Sequence, residues 1–318
     1  DLKNRLGIIL LSGLFITFPT VACLYSYMFA ADPFLLSCLL ATLAVWFVTR
    51  SETWWGWAAG ALLLCLSVGN YQAYLSFALI LMLLFFMLML LQPGHYSDKA
   101  VLTMAFRYIL MLGFVMAAYF AGMVCTLKIK HMELSSYQGI SDSSIPGLSE
   151  IKNRLRMVFE DFAVFFRPSQ VLAFNRWMQA ALLLSLFLLL FFLLTLYTRH
   201  QIYKSLLRSG GLLFCFLCIP PSLNVFYLIS SGATIHMLMR HAWCLLFIGV
   251  VIFYEKAIPL CRPAAMRLLE WASFAALFLV VWNYILLSNI AYFNMNFRYE
   301  KTYALCIKIM DRIEQSDD

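Results

Sequence analysis

Residues 54–92 read WWGWAAGALLLCLSVGNYQAYLSFALILMLLFFMLMLLQ, an apolar run that is interrupted only at GNYQAY, residues 69–74. One helical crossing of the hydrocarbon layer of a membrane needs about 20 apolar residues, so this run is long enough for two. Gly and Asn favour a turn, and polar groups at membrane depth satisfy the backbone that a turn frees. The run therefore predicts a tight helical hairpin or a re-entrant element.

The composition of the whole chain agrees with a membrane protein. Of 318 residues, 63% are apolar and 12% are charged, whereas soluble domains carry about 25% charged residues. The mean hydropathy is +0.83. We expect an all-α, polytopic transmembrane helical protein with about nine spans, near residues 6–24, 33–49, 54–69, 71–92, 105–127, 178–198, 212–230, 241–254 and 268–289.

The predicted spans divide the chain into four parts. Residues 1–127 form a first transmembrane block of about five spans, and residues 177–289 form a second block of about four. A long loop at residues 128–176 separates the blocks. Residues 290–318 form a C-terminal amphipathic helix.

The distribution of basic residues predicts an orientation in the cytoplasmic membrane. Short loops on the cytoplasmic side of a membrane are rich in Lys and Arg, and these residues cluster here in the N-terminal segment and in the second, fourth, sixth and eighth loops between spans. With the N-terminus of this chain cytoplasmic, the short outer loops hold only Arg240, although the C-terminal tail, placed outside by nine spans, is also basic. The loop 128–176 is then outside, and Asp32, GNYQAY and residues 233–242 share the outer face.

Two stretches outside the spans have helical periodicity. In the long loop, apolar residues recur at Ile151, Leu155, Val158, Phe159, Phe162, Phe165 and Phe166, with charged residues such as Arg154 and Asp161 on the rest of the surface. This pattern predicts an amphipathic helix in the membrane interface, or equally one packed on an outer part of the same protein. At the C-terminus, Tyr299, Tyr303, Cys306, Met310 and Ile313 predict a docking helix.

Polar residues on the predicted outer face are candidates for a site. Carboxylates are rare inside membrane spans, and Asp32 lies just before a span; its alternative role is to cap a helix that Pro33 begins. Tyr27 is a candidate for substrate binding or an interfacial aromatic residue. Tyr71 and Gln72 have two alternative roles: they line a cavity, or they only form hydrogen bonds with backbone groups that the turn leaves unpaired.

HMLMRH, residues 236–241, is the predicted outer loop with positive charge. His236, Arg240 and His241 are candidates to hold a phosphate, because Arg provides paired hydrogen-bond donors; the alternative is a lipid-headgroup anchor. The nine cysteines are scattered and show no metal-ligand spacing. No cofactor is therefore predicted, a divalent metal stays open, and the charge distribution does not favour nucleic acid.

The chain resembles the type II glucosyltransferase (GtrII-like) family of polytopic GT-C class enzymes. The resemblance lies in the order of FPTVACLYSYMFAADPFLLSCLLATLAV, GNYQAYLSFAL, YQGISDSSIPGLSEI, IHMLMRHAW and the terminal NIAYFNMNFRYEKTYALCIKIMDRIE. It implies transfer of a sugar, commonly glucose, from a polyprenyl-phosphate-linked donor to a cell-surface glycan outside the cytoplasmic membrane. Tyr137 and Gln138, in the third piece, are assigned to substrate binding with it.

The resemblance also implies an acidic motif in a first outer loop near the N-terminus. The chain opens DLKNRLGII without such a motif, and we expect it to be a fragment whose N-terminal part is missing. Asp32 is then a supporting residue rather than the main catalytic acid; without a missing part, it would carry catalysis alone.

Two other functions fit a polytopic chain with these features. A lipid-linked sugar flippase or another transporter is the first, but transporters tend to have internal repeats and ionisable residues near the midplane, and neither pattern is visible here. A non-catalytic scaffold in an envelope glycan complex is the second, and the C-terminal helix would permit it.

Overall fold

The computed structural model describes residues 3–131, 148–167, 175–229, 235–261 and 263–316, which contain helices and no strand. The first block is made of α1 (Arg5–Thr17), α2 (Pro19–Tyr25), α3 (Ala31–Arg50), α4 (Trp54–Asn70), α5 (Tyr74–Leu91) and α6 (Asp98–Lys130). The remaining α-helices are α7 (Leu148–Phe165), α8 (Arg176–Arg199), α9 (Leu206–Leu223), α10 (Val225–Ile229), α11 (Cys244–Ala257) and α12 (Pro263–Ser316). The predicted all-helical polytopic class is confirmed.

Seven helices are long and apolar enough to cross a membrane, counting the described residues only. The pair α1 and α2 would form an eighth span; it bends by 41° where Pro19 opens α2, because proline removes a helical hydrogen bond. The predicted span near residues 54–69 corresponds to α4, which has 17 residues. Every predicted span thus has a helix, and seven of these helices, or eight with the bent pair, are long and apolar enough to cross a membrane among the described residues.

Helices α3, α4 and α5 pack through a close approach and a polar turn. A Cβ atom at Gly60 would lie 2.8 Å from the carbonyl oxygen of Ala44, so glycine allows α4 to approach α3 this closely. Asn70, which ends α4, donates through Nδ2 to the carbonyl of Pro33 at 2.6 Å. The turn at residues 71–73 then leads into α5, which gives the hairpin form of the predicted alternatives.

Connections between successive helices collect at two ends of the bundle. One end, the α7 end, contains residues 26–32, 70–74, 224–229 and 235–243 together with α7. The opposite end, the Glu255 end, contains residues 3–4, 92–98, 199–208 and 255–261. Asp32, GNYQAY and HMLMRH lie at the α7 end, so the structure brings together the segments that were predicted to share a face.

Ionic side chains at the Glu255 end satisfy the backbone at helix termini. The carboxylate of Glu255 accepts hydrogen bonds from the backbone N–H groups of Lys3 and Asn4, at 2.9 and 2.8 Å, just before α1. The buried guanidinium of Arg208 donates to the carbonyls of Met89 and Leu90, at 3.1 and 3.0 Å, at the end of α5. The last carbonyls of a helix have no partner within it, and Arg208 provides one.

Helix α12 differs from the sequence-based division of the chain. A boundary was placed at residue 290, but the helix continues without a break from Pro263 to Ser316, over 54 residues. No glycine or proline follows Pro263 in this segment, so no residue type there stops a helix. The predicted C-terminal amphipathic helix is therefore the continuation of the last predicted span, and residues 301–316 are exposed throughout.

We predict that Arg208→Gln lowers the free energy of unfolding by about 2–4 kcal/mol, because it leaves buried helix-end carbonyls without a donor. Arg208 also pairs with Asp98, whose side chain is 58% exposed while that of Arg208 is 4% exposed. An exposed partner contributes little, so Asp98→Asn is expected to cost less than about 1 kcal/mol. Denaturant unfolding in nanodiscs checks both, with Lys204→Gln as an exposed control. Equal losses for Arg208→Gln and Asp98→Asn would contradict this account.

Candidate functional site

Helix α7 packs one side against the bundle and leaves another apolar strip exposed. Val158 and Phe165 are buried, and the ring of Phe165 stacks on that of Trp243 with centroids 4.2 Å apart. Ile151, Leu155 and Phe159 are 40%, 38% and 44% exposed. The predicted contact with its own protein is thus present, and the exposed apolar strip leaves the placement in a membrane interface a prediction.

The sequence predicts that the charged residues of α7 lie on its outer surface, but two of them face the protein interior. Arg154 is buried and donates through Nη1 to the carbonyls of Leu228 and Ile229, at 2.7 and 2.8 Å, so it caps the C-terminal end of α10. Asp161 is also turned inward. Arg154, Val158, Asp161 and Phe165 are spaced by 4, 3 and 4 residues, which places them on one side of a helix.

Arg240 and Asp161 form a bidentate ion pair that joins the 236–241 loop to α7. Arg240 donates through Nη1 and Nη2 to the two carboxylate oxygens of Asp161, at 2.9 and 2.6 Å, and both side chains are 14% exposed. The guanidinium carbon also lies 5.7 Å from the ring centroid of Trp243, a cation–π distance. A guanidinium has five N–H donors, and two of those of Arg240 bind Asp161.

Tyr227 of α10 lies within electrostatic reach of this ion pair. Burial raises the pKa of its hydroxyl above the ordinary value for tyrosine, the negative charge of Asp161 raises it further, and Arg240 opposes the increase. Tyr227 therefore stays a neutral hydroxyl beside Arg240 and Asp161 at physiological pH. Arg240, Asp161 and Tyr227 are named the ion-pair group below.

His241 lies in the core rather than on the surface. It is 2% exposed, and its Nδ1 atom is 3.2 Å from the hydroxyl of Tyr74. The rings of Phe15 and Phe77 lie 4.6 and 5.7 Å from the imidazole. Aromatic rings thus exclude it from the phosphate-binding role that its place beside Arg240 had suggested, and it links the loop to α5 instead.

Tyr71 belongs to a second group at the α7 end. Its ring lies 4.1 Å from that of Phe34 and 5.9 Å from that of Tyr74. Burial, and next the neighbouring ionisable groups of Cys23 and Tyr27, raise the pKa of its hydroxyl above the ordinary value. The predicted residues Tyr27 and Tyr71 are therefore within electrostatic reach of each other; with Phe34 they are named the tyrosine group.

Gln72, Asp32 and His236 occupy the same end of the bundle. Gln72 donates through Nε2 to the hydroxyl of Tyr119 at 2.7 Å, which joins the turn to α6. Asp32 is exposed in the first turn of α3, which begins two residues earlier than predicted; a carboxylate there is stabilised by the helix dipole. His236 is exposed. Tyr137 and Gln138 lie outside the described residues.

The segment 236–243 connects the two groups. Arg240 binds α7, and the carbonyl of Met237 accepts a hydrogen bond from Thr20 of α2 at 2.8 Å. His241 of the same segment lies 3.2 Å from the hydroxyl of Tyr74, whose ring is 5.9 Å from that of Tyr71. The segment thus holds the guanidinium at the end of the bundle that the tyrosine group also occupies.

Sequence reasoning missed Asp161 and Trp243 as site residues. The signal for Asp161 was its position, since it shares the stripe of Val158 and Phe165 and a carboxylate on a buried stripe needs a counter-charge. Trp243 carried no separate signal. Within the ranges that the structure describes, no three His, Cys, Asp or Glu side chains gather as metal ligands do.

We predict that Asp161→Asn releases α7, because it leaves Arg240 without a counter-charge at low exposure. Removing one partner of a buried pair costs about 3–5 kcal/mol, and we expect about 1–3 kcal/mol for this partly accessible one. Hydrogen exchange of the α7 amides should accelerate. Glu160→Gln is the matched control, since Glu160 pairs with Arg156 on the exposed side; an equal acceleration in the control would contradict the prediction.

Comparison with known proteins agrees with the family resemblance expected from the sequence. No curated protein and no solved structure matches the chain significantly. Residues 1–254 match the family described as Glucosyl transferase GtrII. The match ends within α11, so the terminal piece quoted above lies outside it. Because the match covers most of the 318 residues, the chain belongs to the GtrII glucosyl transferase family.

Proposed function

We propose that the protein transfers a sugar, in this family glucose, from a polyprenyl-phosphate-linked donor to a cell-surface glycan on the outer face of the cytoplasmic membrane. The observation that carries this proposal is the guanidinium of Arg240, which Asp161 holds in place through two of its five N–H donors. It lies at the end of the bundle that also holds the tyrosine group. The class would be GT-C.

A lipid-linked donor needs an apolar surface for its polyprenyl chain and a cation for its phosphate. The flanks of the bundle are apolar along the spanning helices, so a polyprenyl chain stays in the hydrocarbon layer while its phosphate reaches the interface. Arg240 would bind that phosphate. Its ion pair fixes the orientation of the guanidinium in advance, which reduces the ordering cost of binding.

The acceptor would occupy the tyrosine group. Tyrosine presents an apolar ring face and a hydroxyl, which suits the mixed surface of a sugar, and the raised pKa of Tyr71 keeps its hydroxyl protonated as a donor. Gln72 adds an amide at the rim. Asp32 is exposed at this end and would orient an acceptor hydroxyl rather than act as the main base.

Transfer activity of Arg240 variants tests the donor site. In membranes of cells that carry the whole reading frame, with a polyprenyl-phosphate-linked radiolabelled glucose, we expect Arg240→Gln to lower the rate at least about 100-fold. This loss is about 3 kcal/mol of transition-state stabilisation, in the range of one preorganised electrostatic group. Arg156→Gln, on the exposed side of α7, is the matched control and should retain the rate.

The double variant Arg240→Gln/Asp161→Asn separates binding from folding. It removes both charges, so no buried charge is left unpaired, and α7 should show nearly normal hydrogen exchange. We expect transfer to stay low even though α7 is packed. Recovery of transfer in the double variant would show that Arg240 acts only through the ion pair, and would overturn its role with the donor.

Asp32→Asn tests the supporting role of that residue. Asn keeps a polar group at the start of α3, so folding should be unaffected, and we expect the rate to fall less than about tenfold. A general base contributes about 10²–10⁴-fold. Two results together would instead identify Asp32 as the base. The transfer rate of the variant would fall more than about 100-fold, and its pH profile would lack the decrease at low pH that the unchanged protein shows.

A further inference from the structure

A cavity of about 410 Å³ lies on the flank of the bundle at the Glu255 end, between α5, α8 and α9. Ligand pockets in proteins have volumes of about 300–1,000 Å³. Its walls are apolar over most of their area, formed by Leu190, Leu193, Leu194, Leu212, Leu213 and Phe216. None of these side chains has a hydrogen-bonding group, so the cavity suits a hydrocarbon chain and no polar ligand.

The cavity extends along helix α8. On α8 its lining runs from Leu190 to Tyr197, a helical length of about 10 Å. Tyr197 lies two residues before the end of α8, and Ser209 lies in the first turn of α9. The cavity thus extends inward from the Glu255 end, along the helices, as an acyl chain lies in a bilayer leaflet.

The end of the cavity is polar. The hydroxyl of Tyr197 lies 3.2 Å from Oγ of Ser209, which itself donates to the carbonyl of Ile202 at 3.0 Å. The exposed ring of Tyr203 is 6.3 Å from that of Tyr197. Tyrosine pairs of this kind lie at the level of lipid headgroups, so the cavity begins at headgroup depth.

The two segments that flank this end of the cavity carry more basic than acidic residues. Residues 92–99 and 199–208 contain a single carboxylate, Asp98, and Arg208 binds it at 2.8 Å. Arg199 and Lys204 are exposed in the segment that flanks the cavity, and Lys204 donates to the neutral amide of Gln201. Basic residues next to a spanning helix attract anionic lipid headgroups.

We propose that this cavity binds an anionic phospholipid, with one acyl chain between α8 and α9 and its headgroup phosphate at Arg199 and Lys204. The charge favours an anionic over a zwitterionic headgroup. The cavity lies at the opposite end of the bundle from Arg240 and the tyrosine group, so the bound lipid is not the sugar donor. This site does not depend on the proposed transfer reaction.

Native mass spectrometry of the purified protein tests the site. Delipidated protein is titrated with phosphatidylglycerol and with phosphatidylcholine of the same acyl chains, and the dissociation constant of the first bound lipid is measured. We expect phosphatidylglycerol to bind at least tenfold more tightly. Arg199→Gln/Lys204→Gln should abolish this preference and leave the affinity for phosphatidylcholine unchanged.

A second variant tests the apolar part of the site. Leu194 and Leu213 are 60% and 62% exposed, so Leu194→Trp/Leu213→Trp fills the cavity from its open side without changing the core. We expect the affinity for both lipids to fall at least tenfold. The controls are Leu183→Trp, which is exposed elsewhere on α8, and Lys128→Gln/Lys130→Gln, which removes two charges at the α7 end.

Three results would overturn the proposal. The first is equal affinity for the two phospholipids in the unchanged protein, and the second is unchanged affinity in the tryptophan variant. The third is displacement of phosphatidylglycerol by a polyprenyl phosphate that binds more tightly, which would assign the cavity to the donor chain. Unfolding temperatures measured in phosphatidylcholine alone show that each variant is folded.

Discussion

Backbone groups at the ends of helices need a partner wherever water is scarce, and this constraint explains the buried charges of the protein. Inside a membrane each unsatisfied N–H or C=O group costs several kcal/mol. Arg208 satisfies the last carbonyls of α5, Arg154 those of α10, and Glu255 the N–H groups before α1. These side chains come from distant parts of the sequence, so they also hold the bundle together.

The helices could be predicted from the sequence because each depends on a local property. A long apolar run without glycine or proline must form hydrogen bonds within itself, and α5 is an example. The exact ends of the helices were harder to predict. Pro33 suggested that Asp32 caps α3, yet the helix begins at Ala31. The boundary at residue 290 was placed from a change of composition, and composition alone does not end a helix that has no stop residue.

The candidate site was predictable only in part, since pairing between distant residues leaves little trace in one sequence. The meeting of the 69–74 turn with the 236–241 loop follows from alternating spans, and Tyr27 with Tyr71 follows from the same topology. The inward turn of Arg154 and Asp161 does not, because a charged residue on an amphipathic helix is usually solvated. His241 was misjudged for a similar reason: its aromatic surroundings come from α1 and α5, far away in sequence.

Helix α12 is much longer than a membrane is thick. At about 1.5 Å per residue its 54 residues extend for about 80 Å, whereas the hydrocarbon layer is about 30 Å thick. A single straight crossing would leave a rod of several tens of ångströms outside this layer, and residues 301–316 are exposed throughout. Whatever contacts the tip of this rod is held at a nearly constant height above the lipid, as a spacer would hold it.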